Sequence, residues 1–240
     1  MLMSPLKVII SCLFIINTYS ATGYIKTRSF EVMGDENPYF QISEIKVVEL
    51  ERQIPFSIED LSVTNTKNIQ TAILIVDGLL AIGKKVWPII EDNKPVINVD
   101  NKLSISVVPK IADTPNSDIP FLLTNWSVPK KKSFRVSYLN GFGSEVIGFT
   151  YSILYQYGGK YDGRGQYLTA INVIVDKVNV SWGFNFSAKT SLMSIVNHGS
   201  KKDPVAGASF KISYVAKSIL KEIRAEDGFH IQGNGVLNKL

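Results

Sequence analysis

Cysteine and histidine are scarce in this 240-residue chain, which contains one cysteine and two histidines. A single cysteine excludes an internal disulfide. Zinc sites need three or four ligands at characteristic spacings, and the sequence has neither a cysteine pair nor a His-Glu-x-x-His motif. We therefore predict no metal site and no cofactor. His198 lies in a turn-like segment, and we interpret it as a solvated turn residue.

Long apolar runs are also rare, and one of them opens the chain. Lys7 precedes the apolar residues 8–16, and small or polar residues follow up to Ala21. This order is typical of a secretory signal peptide. We predict a signal at residues 1–21, cleaved after Ser20 or Ala21, which would remove Cys12 as well. The alternatives are a lipoprotein that begins at Cys12 and an uncleaved anchor, although the run is shorter than the roughly 20 residues of a spanning helix.

The remaining residues, 22–240, are enough for one β-rich domain. The segment 113–120 contains two prolines and two aspartates and is the best candidate for an internal boundary. The predicted location of this domain is outside the cytoplasm, in a periplasm or in the extracellular space.

Charge is unevenly distributed along the chain. Residues 22–101 contain 8 Lys/Arg and 12 Asp/Glu, a charge of −4, whereas residues 102–240 contain 17 and 9, a charge of +8. A basic surface outside the cytoplasm suits anionic envelope components, such as lipid head groups or polysaccharide, or an acidic protein. Nucleic acid is not expected as a partner, because the basic residues are dispersed and the compartment is wrong.

Alternating apolar and polar residues dominate the second half. The segments 133–139 and 146–157 alternate with a period of two, and Asn140-Gly141-Phe142-Gly143 between them is typical of a hairpin turn. Further strands are predicted in 167–186, 205–220 and 228–236. In the first of these the apolar parity changes at Asp176-Lys177, which predicts a β-bulge because a strand cannot change face without an extra residue.

The first half shows a different pattern. Strands are predicted at 24–33, 40–50 and 95–108, but apolar residues between Ile69 and Ile90 recur at three- and four-residue spacing, which predicts a buried helix. The predicted fold class is therefore mainly β with one buried helix. The expected architecture is an antiparallel β-sandwich, with jelly-roll and barrel-like forms as variants.

Candidate ligand-binding residues are few. Lys130, Lys131 and Lys132 form the one lysine run, which we place in a loop after Pro129. Tyr161, in a glycine-rich turn, and Trp126, beside the lysines, are the aromatic residues least easily explained as core. Aromatic side chains bind sugars and lipids by stacking and burial.

No pattern of catalytic residues is present: the sequence has no Gly-x-Ser-x-Gly motif and no phosphate-binding glycine loop. The leading hypothesis is therefore an exported, non-enzymatic protein that recognises an envelope component or a protein partner through loops of the sandwich. One alternative is a membrane-inserting or outer-membrane β protein, suggested by Val178–Phe186. A second is a hydrolase that uses carboxylates dispersed along the sequence. Alanine replacement of Asp162, Asp176 and Asp203 would test it.

Overall fold

Most of the chain forms antiparallel β-strands. The computed structural model describes residues 15–20, 23–34, 36–50, 72–96 and 104–240. The strands of the first half are β1 (Ile15–Ser20), β2 (Gly23–Ser29), β3 (Ile42–Leu50), β4 (Ala72–Val76), β5 (Leu79–Ile82), β6 (Val86–Glu91), β7 (Lys94–Pro95) and β8 (Ile105–Pro109). Those of the second half are β9 (Lys130–Asn140), β10 (Glu145–Tyr161), β11 (Arg164–Val180), β12 (Asn185–Asn197), β13 (Ala206–Lys217), β14 (Glu222–Gln232) and β15 (Leu237–Lys239). A 3-10 turn at Pro38–Phe40 and the four-residue helix α1 (Ile119–Leu122) complete the described elements.

The strands form two open sheets. The larger sheet has the order β1-β2-β3-β9-β10-β11-β8-β5-β4, and the smaller has the order β15-β14-β13-β12-β6-β7. The predicted antiparallel sandwich is confirmed, and the sheets do not close into a barrel. No helix among the described residues is long and apolar enough to cross a membrane.

Aromatic side chains fill the space between the sheets. Phe149 of the larger sheet contacts Phe186 and Tyr214 of the smaller one, with ring centroids 4.9 and 5.2 Å apart. Phe134 and Phe229 meet in the same way at 5.1 Å. In β9, β13 and β14 buried and less buried residues alternate, so one side of each of these strands faces the core and supplies such rings.

The predicted bulge is confirmed at Asp176. Thr150 pairs with Lys177 and Tyr151 pairs with Val175, so Asp176 is the extra residue of β11. Its carboxylate receives a 2.6 Å hydrogen bond from Ser152 and lies 3.2 Å from the ammonium of Lys131. The bulge thus restores the register of the apolar face and directs a carboxylate onto a lysine.

The buried helix predicted between Ile69 and Ile90 is wrong. The described part of this segment forms three strands, β4, β5 and β6, and Asp77-Gly78 turns β4 into β5 with positive φ at both residues. All four residues of β5 are buried. A strand covered on both faces loses its two-residue period, which is why its apolar residues imitate the spacing of a helix.

Candidate functional site

Four connections meet at one end of the sandwich. They are the β2–β3 connection (30–41, described except for residue 35), the β9–β10 turn (141–144), the β11–β12 turn (181–184) and the β13–β14 turn (218–221). The register puts them together: Ile42 pairs with Asn140, Ser181 donates to the carbonyl of Val146, and Asn185 pairs with Lys217.

Large apolar side chains project from these connections into solvent. The exposed fraction is 82% for Trp182, 71% for Ile219 and 67% for Phe142, and Met33 is exposed as well. We call these four residues the apolar rim. The turns 141–144 and 181–184, which carry Phe142 and Trp182, contain no charged residue. Exposed apolar residues that gather from separate loops mark an interaction surface more often than single ones do.

Polar side chains at the base of the loops fix the apolar rim in place. The side-chain oxygen of Asn140 accepts hydrogen bonds from the backbone of Phe142 and Ser144, both at 3.0 Å. Ser218 accepts in the same way from Leu220 and Lys221, at 3.2 and 3.3 Å. These side-chain to backbone bonds brace the backbone of the two turns that carry Phe142 and Ile219.

The turn that carries Trp182 is held by the 3-10 turn at Pro38–Phe40. The hydroxyl of Tyr39 donates to the carbonyl of Trp182 at 3.1 Å, and the rings of Phe40 and Trp182 have centroids 6.0 Å apart. Gly183 has a φ of +82°, and a Cβ at this position would lie 2.5 Å from the ring of Phe40. The glycine is therefore required both for the backbone conformation and for the close approach of the ring.

The charged residues next to the apolar rim are largely paired with one another. Glu222 binds Lys217 at 2.9 Å and Arg224 at 2.6 Å, and the hydrogen bond from Lys217 is the main reason that its pKa is lowered. Arg135 and Glu145 form a further pair at 2.6 Å. This end of the molecule therefore offers an apolar surface next to charged residues that form ion pairs with one another.

The lysines singled out from the sequence are not in a loop. They begin strand β9, and each has a partner within the protein. Lys130 donates to the carbonyl of Gly235 at 3.3 Å, Lys131 is buried against Asp176, and Lys132 lies 2.8 Å from Glu49. The loop assignment is wrong because β9 begins at Lys130, whereas the alternating apolar pattern in the sequence begins only at Ser133. Ligand binding by these lysines stays a prediction.

The two aromatic candidates lie at the opposite end of the sandwich from the apolar rim. Trp126 is half-buried, donates to the carbonyl of Pro120 at 3.4 Å, and packs on Gly159, where a Cβ would overlap its ring. Tyr161 is the last residue of β10, so its assignment to the turn is wrong, and it is half-buried against the core. The structure therefore places Trp126, Lys130 and Tyr161 at one end, while Lys131 and Lys132 point into ion pairs.

The sequence-based predictions missed the apolar rim. Phe142 was assigned to a hairpin turn and Trp182 to the alternating face of a strand. A usable signal was present, because both aromatic residues stand next to glycines that end a strand, in Gly141-Phe142-Gly143 and Trp182-Gly183. An aromatic side chain at the tip of a glycine turn has no neighbouring strand to cover it.

A cavity between the sheets offers no organic ligand site. It lies where Lys26 and Arg28 of β2 face Asp227 of β14, and its volume of about 10 Å³ is enough for roughly one water. Asp227 accepts a 2.8 Å hydrogen bond from the hydroxyl of Tyr214 and lies 3.1 Å from the ammonium of Lys239. Burial raises the pKa of Tyr214 and lowers that of Lys239.

The chain matches no protein-family model, no curated protein and no solved structure.

Proposed function

We propose that this protein is an exported, non-enzymatic protein that binds the surface of a lipid bilayer through its apolar rim. The observation that carries the proposal is the set of three side chains, Phe142, Trp182 and Ile219, that are each at least two-thirds exposed and come from three separate turns at one end. Burial of these side chains in the interfacial layer of a membrane would remove their apolar surface from water.

A lipid surface suits this geometry better than a protein surface. The three side chains project from three separate turns and are mostly exposed, so a rigid partner would need a surface that fits all three at once. Lipid chains adapt to any such shape. Tryptophan also favours the membrane interface, because its ring is apolar and its N–H can bond to water or head groups.

Binding of this kind is weak and reversible. Burial of one large apolar side chain contributes about 1.5–3 kcal/mol when complete, and partial insertion gives about 1–2 kcal/mol for each residue. Three residues then supply roughly 3–6 kcal/mol, which corresponds to dissociation constants from millimolar to tens of micromolar in accessible lipid. A single acyl anchor gives comparable, marginal binding.

Export is part of the proposal and rests on the signal-like residues 1–21. Cleavage after Ser20 or Ala21 would remove β1, which is the edge strand of the larger sheet, and would leave β2 at the edge. The rest of the sandwich, including all four connections of the apolar rim, would be retained.

Non-enzymatic function is supported by the structural roles of the three aspartates that a carboxylate hydrolase would use. Asp176 forms the bulge and faces Lys131. Asp162 takes a positive φ of 48° in the β10–β11 turn, and Asp203 accepts a 2.8 Å hydrogen bond from the backbone of Gly165. The carboxylates of Asp176 and Asp203 thus brace the fold, and Asp162 contributes the backbone conformation of a turn.

Sedimentation with lipid vesicles tests the proposal. The chain without residues 1–21 is mixed with millimolar phosphatidylcholine vesicles, with and without anionic lipid, and compared with the Trp182→Ala and Phe142→Ala variants. We expect each substitution to weaken binding about 5- to 30-fold, the equivalent of about 1–2 kcal/mol. Phe121→Ala is the matched control, because Phe121 is 81% exposed but lies in α1, at the other end.

Two outcomes would contradict membrane binding through the apolar rim. One is equal binding by all four proteins, and the other is no binding to either kind of vesicle at millimolar lipid. In the second case the apolar rim would be assigned to a protein partner, and the same variants would be compared in a cross-linking assay. A requirement for anionic lipid would instead support the contribution of the basic half of the chain.

A further inference from the structure

The only two histidines of the sequence meet on the outer face of the smaller sheet. The Nε2 atoms of His198 and His230 are 2.8 Å apart, and the two rings are nearly perpendicular, with an angle of 82° between them. The Nδ1 atom of His230 lies 2.9 Å from the hydroxyl oxygen of Ser209. His198 is an exposed residue of the connection that follows β12, and its ring also contacts His230.

The surrounding backbone is arranged to bring these rings together. Ser209 and His230 are direct cross-strand neighbours on β13 and β14. His198 follows β12, and its backbone N–H donates to the carbonyl of Val205 at 2.8 Å. Gly207 provides the space, because a Cβ there would lie 2.7 Å from Nε2 of His198. With any larger residue at position 207 the ring of His198 could not rest against the sheet in this position.

The protons of the pair can be arranged in a form that binds a metal. In the structure, one Nε2–H donates to the other Nε2. If both rings instead hold their proton on Nδ1, both Nε2 lone pairs become free, and no proton is gained or lost. For His230 the hydroxyl oxygen of Ser209 then accepts the Nδ1–H, an outer-shell contact that metal-binding histidines commonly make. For His198 water accepts it, since that ring is exposed.

We propose that His198 and His230 form a two-histidine site for a divalent transition metal ion, with Cu²⁺ bound in preference to Ni²⁺ and Zn²⁺. The 2.8 Å between the two nitrogens is the length of a hydrogen bond. Because the side chain of His198 is exposed, its ring can turn until both Nε2 lone pairs meet at an ion about 2.0–2.1 Å from each nitrogen. Imidazole nitrogen suits all three ions, and at a given nitrogen site Cu²⁺ binds most tightly of them.

Other features agree with an open site of this kind. The side chain of His198 is exposed and that of His230 is half-buried, so both rings can be reached from solvent. Among the described residues no group of three or more His, Cys, Asp or Glu side chains is placed to hold a metal. Water or an external ligand would therefore complete the coordination sphere.

Copper titration of the untagged protein tests this proposal. The chain without residues 1–21 is titrated with CuCl₂ in a buffer that does not bind metals, followed by calorimetry and by electron paramagnetic resonance. We expect one Cu²⁺ per chain with hyperfine structure from two nitrogens. His198→Ala or His230→Ala should each weaken binding at least 10-fold and leave a one-nitrogen spectrum, and the double variant should lose the nitrogen hyperfine structure of both rings.

Two further variants separate the site from its surroundings. Ser209→Ala should keep the two-nitrogen spectrum but weaken binding about 10-fold, as expected for loss of an outer-shell partner. Lys202→Ala, in the same loop as His198, should change nothing. The proposal is overturned if the His198→Ala variant binds Cu²⁺ as tightly as the original chain, or if the original spectrum shows one nitrogen. It is also overturned if Zn²⁺ binds more tightly than Cu²⁺.

Discussion

The ion pair of Lys131 with Asp176 should be one of the most costly polar contacts to break in this fold. The side chain of Lys131 is 4% exposed and that of Asp176 is 12% exposed, with nitrogen and oxygen 3.2 Å apart. Asp176 also accepts from Ser152, whose hydroxyl lies 2.7 Å from that of Ser133. Asp176→Ala would remove this carboxylate from a buried ammonium and a buried hydroxyl network.

The expected loss in the free energy of unfolding is about 3–5 kcal/mol, the usual cost of removing one partner of a buried ion pair. Because Asp176 retains some contact with water, the lower end of this range, about 3 kcal/mol, is the better estimate. For a chain of this length each kcal/mol lowers Tm by about 2–4 °C, so Tm should fall by about 6–12 °C. Thermal unfolding followed by circular dichroism measures this change.

An exposed ion pair provides the matched control. Lys211 and Glu226 are closer together, at 2.7 Å, but their side chains are 34% and 58% exposed. Glu226→Ala should therefore cost less than about 1 kcal/mol. The combination of Lys131→Met with Asp176→Ala should be more stable than Asp176→Ala alone, because no buried charge is left behind. Equal losses for Asp176→Ala and Glu226→Ala would refute the argument that burial decides the cost.

Other predictions concern tyrosine ionisation, one close contact and the N-terminus. Stability should fall above about pH 10, by up to 1.4 kcal/mol per pH unit for each tyrosine that ionises in the unfolded chain but not in the folded one; a Tm that stays constant from pH 9 to pH 11.5 would contradict this. The pKa is raised by burial for Tyr138, for Tyr155 to about 12, for Tyr167 and for Tyr214. Gly159→Ala should displace the ring of Trp126 and shift its fluorescence to the red, and an unshifted spectrum would show that the contact is absent. Mass spectrometry of the exported chain should find an N-terminus at residue 21 or 22, whereas an intact residue 1 would contradict cleavage.

The second half of the fold could be predicted because most of its strands alternate core-facing apolar residues with polar or small ones, including β10, where residues 146–155 are buried on both faces. That arrangement leaves a period of two in the sequence, as in Phe134, Val136 and Tyr138. Even the bulge at Asp176 could be located, because an extra residue in a strand moves the apolar residues from odd-numbered to even-numbered positions. The pairing of non-consecutive strands, such as β12 with β6, leaves no comparable trace in a single sequence.

The first half was harder because β5 is covered on both sides. The hairpin signal Asp77-Gly78 was nevertheless present, and a two-residue Asp-Gly turn between apolar runs favours a hairpin over a helix. Similarly, the meeting of His198 and His230 depends on the register of three strands and on the missing side chain at Gly207. Neither histidine carries a local motif that reveals the other.

The fluorescence of Trp182 tests the central claim most directly. Of the three tryptophans, Trp87 is 1% exposed and Trp126 is half-buried, so a change on adding vesicles reports mainly on Trp182. Vesicles that contain brominated lipid chains should shift this emission to the blue and quench it, and the change should be absent in Trp182→Phe. Emission that remains unshifted and unquenched at millimolar lipid would contradict membrane binding through the apolar rim.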